Sequence, residues 1–282
     1  MISCCYQFIP VKVEVEEHHI GVYSSKIDEH MVKAPHPRNL LRGSLVSPSL
    51  AAAIINGKYV NAVPLYRLEK EFERYGLAIP RQNMANWMIR LDEGYLGIMY
   101  DYLHSLLYEY HVIQADETPV LVNKDGRPTG NQSWMRVYRS GFMQQECQII
   151  LCEYQKSRNA SYLRKFLKDY TEISVTDGYQ VYHTLEKERE DLKIDGCFGF
   201  IAEDGDVSID NNASERAIRG FCIGKKNWKM IDTINGATSS EVIYSIVETA
   251  KANNLKPYDY FEHLFTEIPK HEEDTNIDFL KA

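Results

Sequence analysis

The stretch VIQADETPVLV, from Val112 to Val122, is a run of apolar and β-branched residues, which predicts a β-strand. Asp116 lies in the middle of this run. A carboxylate in a buried strand is costly to keep charged unless a cation or a network of hydrogen bonds compensates it. The position of Asp116 therefore indicates a site at which one of these two partners is present.

The segments that follow predict how this strand is built into a sheet. The turn NKDGRPTGNQ leads to a second strand, SWMRVYRSG, and then to a third, ECQIILCEY, so we expect an antiparallel meander of three strands. A crossover helix from Asn159 to Tyr170 precedes the short strand ISVTD, which should pair in parallel with the first strand. This order brings Asp177, at the end of ISVTD, next to Asp116.

A third acidic residue, Glu215, lies in the segment IDNNASERAIRGFCIGKKNWKM, from Ile209 to Met230. The spacing of Asn212 and Glu215 is that of a capping box at a helix N-terminus, which would explain both residues without any function. With Asp116 and Asp177, however, Glu215 completes a set of three carboxylates in apolar, turn-bounded contexts. Such a DDE set can hold two divalent metal ions for in-line attack on a phosphodiester.

Basic and aromatic residues follow Glu215 in the same segment, and this combination suits binding to a phosphate backbone. The residues that we predict to contact DNA are Arg216, Arg219, Lys225, Lys226, Trp228 and Lys229. Paired carboxylates alone would also suit a sugar-processing enzyme. The basic strip around Trp228 argues against that alternative.

Several motifs together resemble the insertion sequence 66 family of bacterial transposases, namely ADETPV, TDGY, IDNNxxERAIR, GKKNW and YSIVETAKANNLKPYDYF. The resemblance implies an α/β fold with a ribonuclease-H-like mixed sheet flanked by helices. It also implies cleavage and strand transfer of DNA by magnesium, or manganese, bound to Asp116, Asp177 and Glu215. The implied partners are the terminal inverted repeats of the element, target DNA, and either further copies of the chain in a homo-oligomer or other element-encoded proteins.

The chain departs from the family pattern at two places. Family members carry a long helical insertion between the second Asp and the Glu, whereas here DGCF, Asp195 to Phe198, is soon followed by EDGDVSIDNN. Gly220 stands where a proline usually ends the helix, and we expect it to loosen that turn. A shortened copy leaves a second function open, that of a catalytically decayed fragment that at most binds DNA or pairs with an intact subunit.

The motifs divide the chain into four regions. Residues 1–46 predict an N-terminal β-ribbon and linker, residues 47–111 a helical region, residues 112–235 the ribonuclease-H-like DDE catalytic domain, and residues 236–282 a C-terminal helical extension. In the family the first region accompanies a cysteine-rich metal-binding module, preceded by further sequence. The corresponding stretch here, VYSSKIDEH, has no cysteine, so we expect no zinc.

The helical region carries clear start and stop signals, with Ser47 and Pro64 before two helices and Gly76 after the second. The third helix is predicted in IPRQNMANWMIRL. Its first residues, Arg81, Gln82 and Asn83, could begin the recognition helix of a helix-turn-helix. The alternative is a bundle that braces the catalytic domain, with Trp87, Met88 and Leu91 as core residues.

The composition sets limits on the function. A net charge of −8 over 282 residues confines DNA contacts to the local basic strip, so we expect weak, salt-sensitive binding. The sequence has neither an apolar run of membrane-spanning length nor a basic leader, which predicts a cytoplasmic protein without membrane contacts, associated with the nucleoid when bound to DNA. The six cysteines form no CxxC pair, and we interpret them as reduced packing residues.

Overall fold

The structure is a computed structural model of the chain. It describes residues 12–24, 30–35, 38–128, 130–141, 147–176, 180–196, 211–272, 274 and 276–281. Asp177 and most of the segment from DGCF to Asp210 lie outside the described residues.

The helices predicted between residues 47 and 111 are confirmed, and they begin and end at the signals in the sequence. Ser47 caps the first helix by accepting a hydrogen bond from the Leu50 amide at 3.2 Å. Pro64 precedes the second helix, and Gly76 follows it with a φ of 81°. The helices of this segment are α1 (Pro48–Ile55), α2 (Leu65–Arg74), α3 (Arg81–Leu91) and α4 (Gly97–Leu107).

The third of these helices is compatible with both sequence interpretations. Met88 and Leu91 are buried in the hydrophobic core, as a bracing role requires. Arg81, Gln82 and Asn83 are exposed at the start of α3, as a recognition helix requires. The choice between the two therefore stays open.

The N-terminal ribbon is shorter and later than the sequence pattern suggests. Residues 12–20 of the alternating stretch form no strand, and β1 (Val22–Ser24) instead pairs antiparallel with β2 (Met31–Lys33). Both strands are fully exposed, and Val15 is 78% exposed. An alternating pattern forms an extended strand only where its apolar face can be buried, and the described residues offer no such surface here.

A mixed sheet carries the predicted site. The meander is confirmed, because β3 (Val112–Lys124), β4 (Gln132–Ser140) and β5 (Ile150–Gln155) pair antiparallel. The predicted parallel strand is also confirmed, since Val112 to Gln114 pair with Ile173 to Val175. The remaining strands are β6 (Ile173–Val175) beside β3, β7 (Lys193–Asp195) beside β6, and β8 (Ile231–Thr233), which pairs in parallel with the far end of β3.

Helices flank this sheet. They are α5 (Ala160–Phe166), α6 (Gln180–Glu188), α7 (Asn212–Trp228), α8 (Ile234–Ala252) and α9 (Pro257–Glu267). The predicted crossover helix is α5, which ends four residues earlier than the sequence suggests, at Phe166. Among the described residues, no helix has both the length and the apolar character needed to cross a membrane.

One helix completes the hydrogen bonding of the outer strand β5. The backbone amides of Ile150, Cys152 and Tyr154 donate to side chains of Thr249, Ser245 and Glu241, at 3.0, 2.7 and 2.6 Å. One helical turn of four residues advances about 6 Å, close to the roughly 6.7 Å between alternate residues of a strand. A polar stripe spaced by four residues on α8 therefore covers the sheet edge that would otherwise be open to another chain.

Candidate active site

Two neighbouring carboxylates in the middle of β3 point to opposite faces of the sheet. Side chains alternate along a strand, so Asp116 shares its face with Thr118, whereas Glu117 faces the other way. Thr118 Oγ1 contacts the Cys222 thiol at 3.5 Å and the Lys225 ammonium at 3.0 Å, which places α7 on the Asp116 face. Asp116 is partly buried, and its Oδ1 accepts a hydrogen bond from the Glu117 amide at 2.7 Å.

Helix α7 lies in a gap of the sheet. On the side of β3 away from β4, the described pairing stops at Gln114 with β6 and resumes at Val122 with β8. Side chains of α7 fill the interval: Asn211 Nδ2 donates to the Ala115 carbonyl at 3.0 Å, and Lys225 Nζ donates to the Pro119 carbonyl at 2.7 Å. The helix therefore runs along β3, with its N-terminus fixed to the residue that precedes Asp116.

Glu215 lies near the hydrogen bond between Asn211 and Ala115. It lies in the first turn of α7 and is exposed, and its amide donates to the Asn211 carbonyl at 3.1 Å. Four residues of a helix advance about 6 Å. Glu215 therefore lies about one helical turn from the point where α7 is fixed beside Asp116.

The capping-box explanation of Asn212 and Glu215 is wrong. The cap is Asn211, one residue earlier, and its side chain makes no capping hydrogen bond. Its amide nitrogen donates to the Ala115 carbonyl, and its oxygen contacts the Ser214 hydroxyl. Ser214 instead donates its hydroxyl back to the Asn211 carbonyl at 3.0 Å. Glu215 consequently falls one position beyond the capping-box site and is not needed to begin the helix.

The third carboxylate, Asp177, lies outside the described residues. The strand that leads to it, β6, is described up to Val175, and the Thr176 amide donates to the Asp195 carbonyl at 2.9 Å. Within the described ranges, no group of three His, Cys, Asp or Glu side chains is placed to hold a metal ion. The DDE set therefore remains a prediction, of which Asp116 and Glu215 supply two carboxylates of the oxygen-ligand type that magnesium prefers.

The basic residues of α7 differ in their exposure. Arg216, Arg219, Lys226 and Lys229 are exposed, whereas Lys225 is half-buried and bound to β3. A cavity of about 310 Å³ opens beside them. It is lined by Pro119, Val120, Leu121, Gln132, Lys225, Lys226 and Lys229.

Lys229 ends α7 in an unusual backbone conformation. Its φ and ψ are 63° and −47°, and the Met230 amide donates to the Trp228 carbonyl at 2.8 Å. These values describe a γ-turn of the strained type, which is rare for a residue with a side chain. The strain directs the chain from α7 into β8 and leaves the Lys229 ammonium at the cavity.

Replacing Lys229 by glycine should raise the free energy of unfolding while weakening DNA binding. Glycine adopts a positive φ without steric cost, so we expect a gain of about 1 kcal/mol in urea unfolding. Loss of one phosphate contact should reduce the salt dependence of binding to a short duplex by about one unit of log K against log salt. Lys229→Ala is the matched control, because it removes the same charge and keeps the strain. Equal stability of the two variants would contradict the strain assignment.

The structure adds to two predictions for α7, those for Gly220 and for Trp228. Gly220 does not loosen a turn, because the helix continues through it to Trp228. A Cβ atom at Gly220 would lie 2.4 Å from Glu248 Oε1, so a larger residue there would require the Glu248 carboxylate to move. Trp228 is half-buried and packs edge-to-face on Phe221, with ring centroids 5.5 Å apart, so at least one part of its surface serves packing.

A buried ion-pair cluster behind the site was not found from the sequence. Glu117 accepts hydrogen bonds from Arg136 Nε and Nη2 at 3.1 and 2.5 Å, and its other oxygen lies 2.5 Å from Arg158 Nη2. The side chains of Glu117 and Arg136 are 3% and 0% exposed. The only sequence signal was an arginine inside a predicted strand, and its partner became apparent through the register that places Glu117 opposite Arg136.

Comparisons with known proteins find similarity over most of the chain. The family described as "Transposase IS66 family" matches residues 43–201 and 198–239, and the "IS66 C-terminal element" matches residues 245–280. The uncharacterized protein y4qI of Sinorhizobium fredii is 26% identical over 244 residues, which cover 81% of this chain and 44% of that protein. The uncharacterized protein y4jD of the same organism is 26% identical over 162 residues, 56% of this chain and 32% of that protein. The chain thus spans less than half the length of these relatives.

Two solved structures are similar at a low level. A pre-cleavage Mos1 transpososome matches with a TM-score of 0.27 and 11% identity, over 87% of this chain and 81% of that chain. A Mos1 transposase paired-end complex with the left transposon end matches with a TM-score of 0.24 and 13% identity, over 85% and 83% of the two chains. Scores at this level do not establish a shared fold, so the mixed α/β architecture rests on the strand order described above.

Proposed function

The chain belongs to the IS66 family of transposases, and from this premise we propose that it performs metal-dependent DNA cleavage and strand transfer on a ribonuclease-H-like sheet. The observation that carries the proposal is the fixation of α7 beside Asp116. The Asn211 side chain binds the Ala115 carbonyl, and Glu215 follows within one turn. The start of the helix that carries Glu215 is thereby fixed to the strand that carries Asp116, which supports the proposal.

The metal ligands in this proposal are Asp116, Asp177 and Glu215. Carboxylate oxygens suit magnesium or manganese better than zinc, for which thiolates and imidazoles are the usual ligands. When bound, such ions lower the pKa of a coordinated water or hydroxyl and stabilise charge on the phosphodiester oxygens. The protein residues position the metal, and the partial exposure of Asp116 and Glu215 leaves room for a substrate.

The substrate in this proposal is DNA, held along the basic surface of α7. Exposed lysine and arginine side chains give affinity for phosphates without reading sequence. The cavity is lined by Lys225, Lys226 and Lys229, by Pro119 to Leu121 of β3 and by Gln132 of β4. It is wide enough, at about 310 Å³, to accept a phosphate and its sugar.

One observation favours the second candidate function, that of a decayed fragment. The family match breaks into two segments around residues 198–201, where the sequence lacks the helical insertion of family members. Positioning supplies much of the rate of phosphoryl transfer, and a misplacement of about 1 Å costs on the order of a hundredfold. The triad alone would then bind metal, with little autonomous strand transfer.

The test is a strand-transfer assay with the purified 282-residue chain, magnesium and a plasmid that carries the terminal repeats of the element. A working transposase gives excised or joined products that depend on magnesium. The decayed fragment gives slow or undetectable product. Efficient strand transfer that disappears in Asp177→Asn would exclude the decayed fragment, and binding to neither metal nor DNA would exclude both functions.

A further inference from the structure

A second arginine of β4, Arg139, lies on the same face of the sheet as Asp116. Asp116 pairs with Val137, so Arg139 is its diagonal neighbour across the strand pair, within reach of a long side chain. The helix α7 packs on both β3 and β4 at this face. Arg139 is only 7% exposed. The sequence analysis gave this residue no role.

Arg139 is a buried cation without a counter-charge. Its Nη2 donates to the neutral Gln148 Oε1 at 2.6 Å, and its Nε has no hydrogen-bond partner. Among the described residues, no carboxylate lies within 4 Å of its guanidinium, in contrast to Arg136, whose charge is balanced by Glu117. Buried charges in proteins are almost always paired, so an isolated one indicates a missing anion.

The charged group that affects Arg139 electrostatically, Arg216, is also positive. The pKa of the Arg139 guanidinium is lowered, first by burial and second by the positive charge of Arg216 in the first turns of α7. Two guanidinium groups that repel each other without a bridging anion are destabilising, and a phosphate between them reverses the sign of the interaction. Arg216 is exposed and can meet an anion from the solvent side of α7, whereas Arg139 is 7% exposed and lies beneath the helix on the sheet.

We propose that Arg139 and Arg216 together bind one phosphate group of the DNA backbone beside Asp116. This inference rests on the proposed function for the identity of the substrate. The existence of the anion site rests on the burial and register of Arg139, on its unpartnered Nε and on the packing of α7, which carries Arg216, against β4. Arg139 reaches the phosphate from the sheet and Arg216 from the helix. The phosphate is thereby fixed against the strand that carries the first carboxylate, and Arg139 acts as a positioning residue.

The first arm of the test uses inorganic phosphate and thermal unfolding of the full chain at constant ionic strength. Replacing chloride by phosphate at about ten times its Kd should raise the Tm of the wild type by roughly 2–4 °C. Arg139→Gln should lose this rise and, without phosphate, should melt at or above the wild-type temperature, because an uncompensated charge is removed. Arg67→Gln, an exposed arginine of α2, is the control and should keep the full rise, including any general effect of phosphate on proteins.

The second arm uses a short DNA duplex without magnesium. Arg139→Gln and Arg216→Gln should each reduce the salt dependence of binding by about one unit of log K against log salt, whereas Arg67→Gln should not. If Arg139→Gln does not fold, Arg216→Gln carries both arms, since Arg216 is exposed. A stability loss in Arg139→Gln with an unchanged phosphate response would overturn the proposal and assign a purely structural role.

The two parts of the experiment distinguish a failure of this inference from a failure of the proposed function. A phosphate response that depends on Arg139, without any strand transfer, leaves the anion site in place and removes only the activity. Magnesium-dependent strand transfer with no phosphate response and an unchanged salt dependence leaves the activity in place and removes the anion site.

Discussion

Replacing Glu117 by glutamine should lower the free energy of unfolding by about 3–5 kcal/mol, the usual consequence of removing one partner of a buried ion pair. Glu117 is the shared counter-charge of Arg136 and Arg158, and the side chain of Arg136 is completely buried. Arg158 also lies over the Trp134 ring, 3.9 Å from its centroid, so it can remain in place when its partner is lost. Arg136 cannot reach water, and the carboxyl that faces it from β5, Glu153, has a pKa raised to about 7 by burial, so Arg136 would stay buried and only partly compensated.

Urea unfolding of the two proteins measures this effect directly. Glu188→Gln is the matched control, because Glu188 pairs with Arg164 at 2.6 Å on the surface, where both side chains are more than 40% exposed. Exposed ion pairs of this kind contribute about 0–1 kcal/mol. A Glu117→Gln variant that is no less stable than Glu188→Gln would show that the cluster is not a buried ion pair in solution.

The position of Glu117 shows what the sequence could and could not predict about the site. The strand, its antiparallel partners and the parallel strand β6 followed from local patterns of apolar residues and turns. The sequence also selected Asp116 as the carboxylate in need of a partner, although Glu117 is its neighbour and the more deeply buried of the two side chains. Only the register of β3 against β4 shows that Glu117 already has its partner in Arg136.

The same limit explains the other differences. The capping box was placed one residue too late, and the side chain of Asn211 binds the Ala115 carbonyl, a contact between segments far apart in sequence. The sequence predicts a C-terminal helical extension without a role for its polar residues, and in the structure Glu241, Ser245 and Thr249 bind the edge of β5. Local signals thus predicted elements, and contacts across the sheet decided what individual polar residues do.

Replacing Asp116 by asparagine should affect the response to magnesium and leave stability nearly unchanged, which is the reverse of what we expect for Glu117→Gln. Asparagine keeps an oxygen that can accept the hydrogen bond from the Glu117 amide, so the fold should lose little stability in metal-free buffer. If Asp116 is a metal ligand, as proposed, its removal should abolish the rise in Tm that we expect millimolar magnesium to give the wild type. Changes to residues that merely support metal ligands already cost about 10–100-fold, so any magnesium-dependent DNA cleavage should fall by more than about a hundredfold.

The control for this prediction is a carboxylate on the protein surface. Asp232→Asn removes an exposed carboxylate that pairs with Lys124 at 2.6 Å, and it should change neither the magnesium response nor cleavage. If magnesium stabilises the wild type and Asp232→Asn but not Asp116→Asn, the metal is bound at β3, whether or not the shortened chain transfers strands. A magnesium response that survives in Asp116→Asn would place the metal elsewhere and remove Asp116 from the active site. Because Asp116 and Glu117 are adjacent carboxylates on opposite faces of one strand, the two variants separate a carboxylate that acts on a metal from one that holds the sheet together.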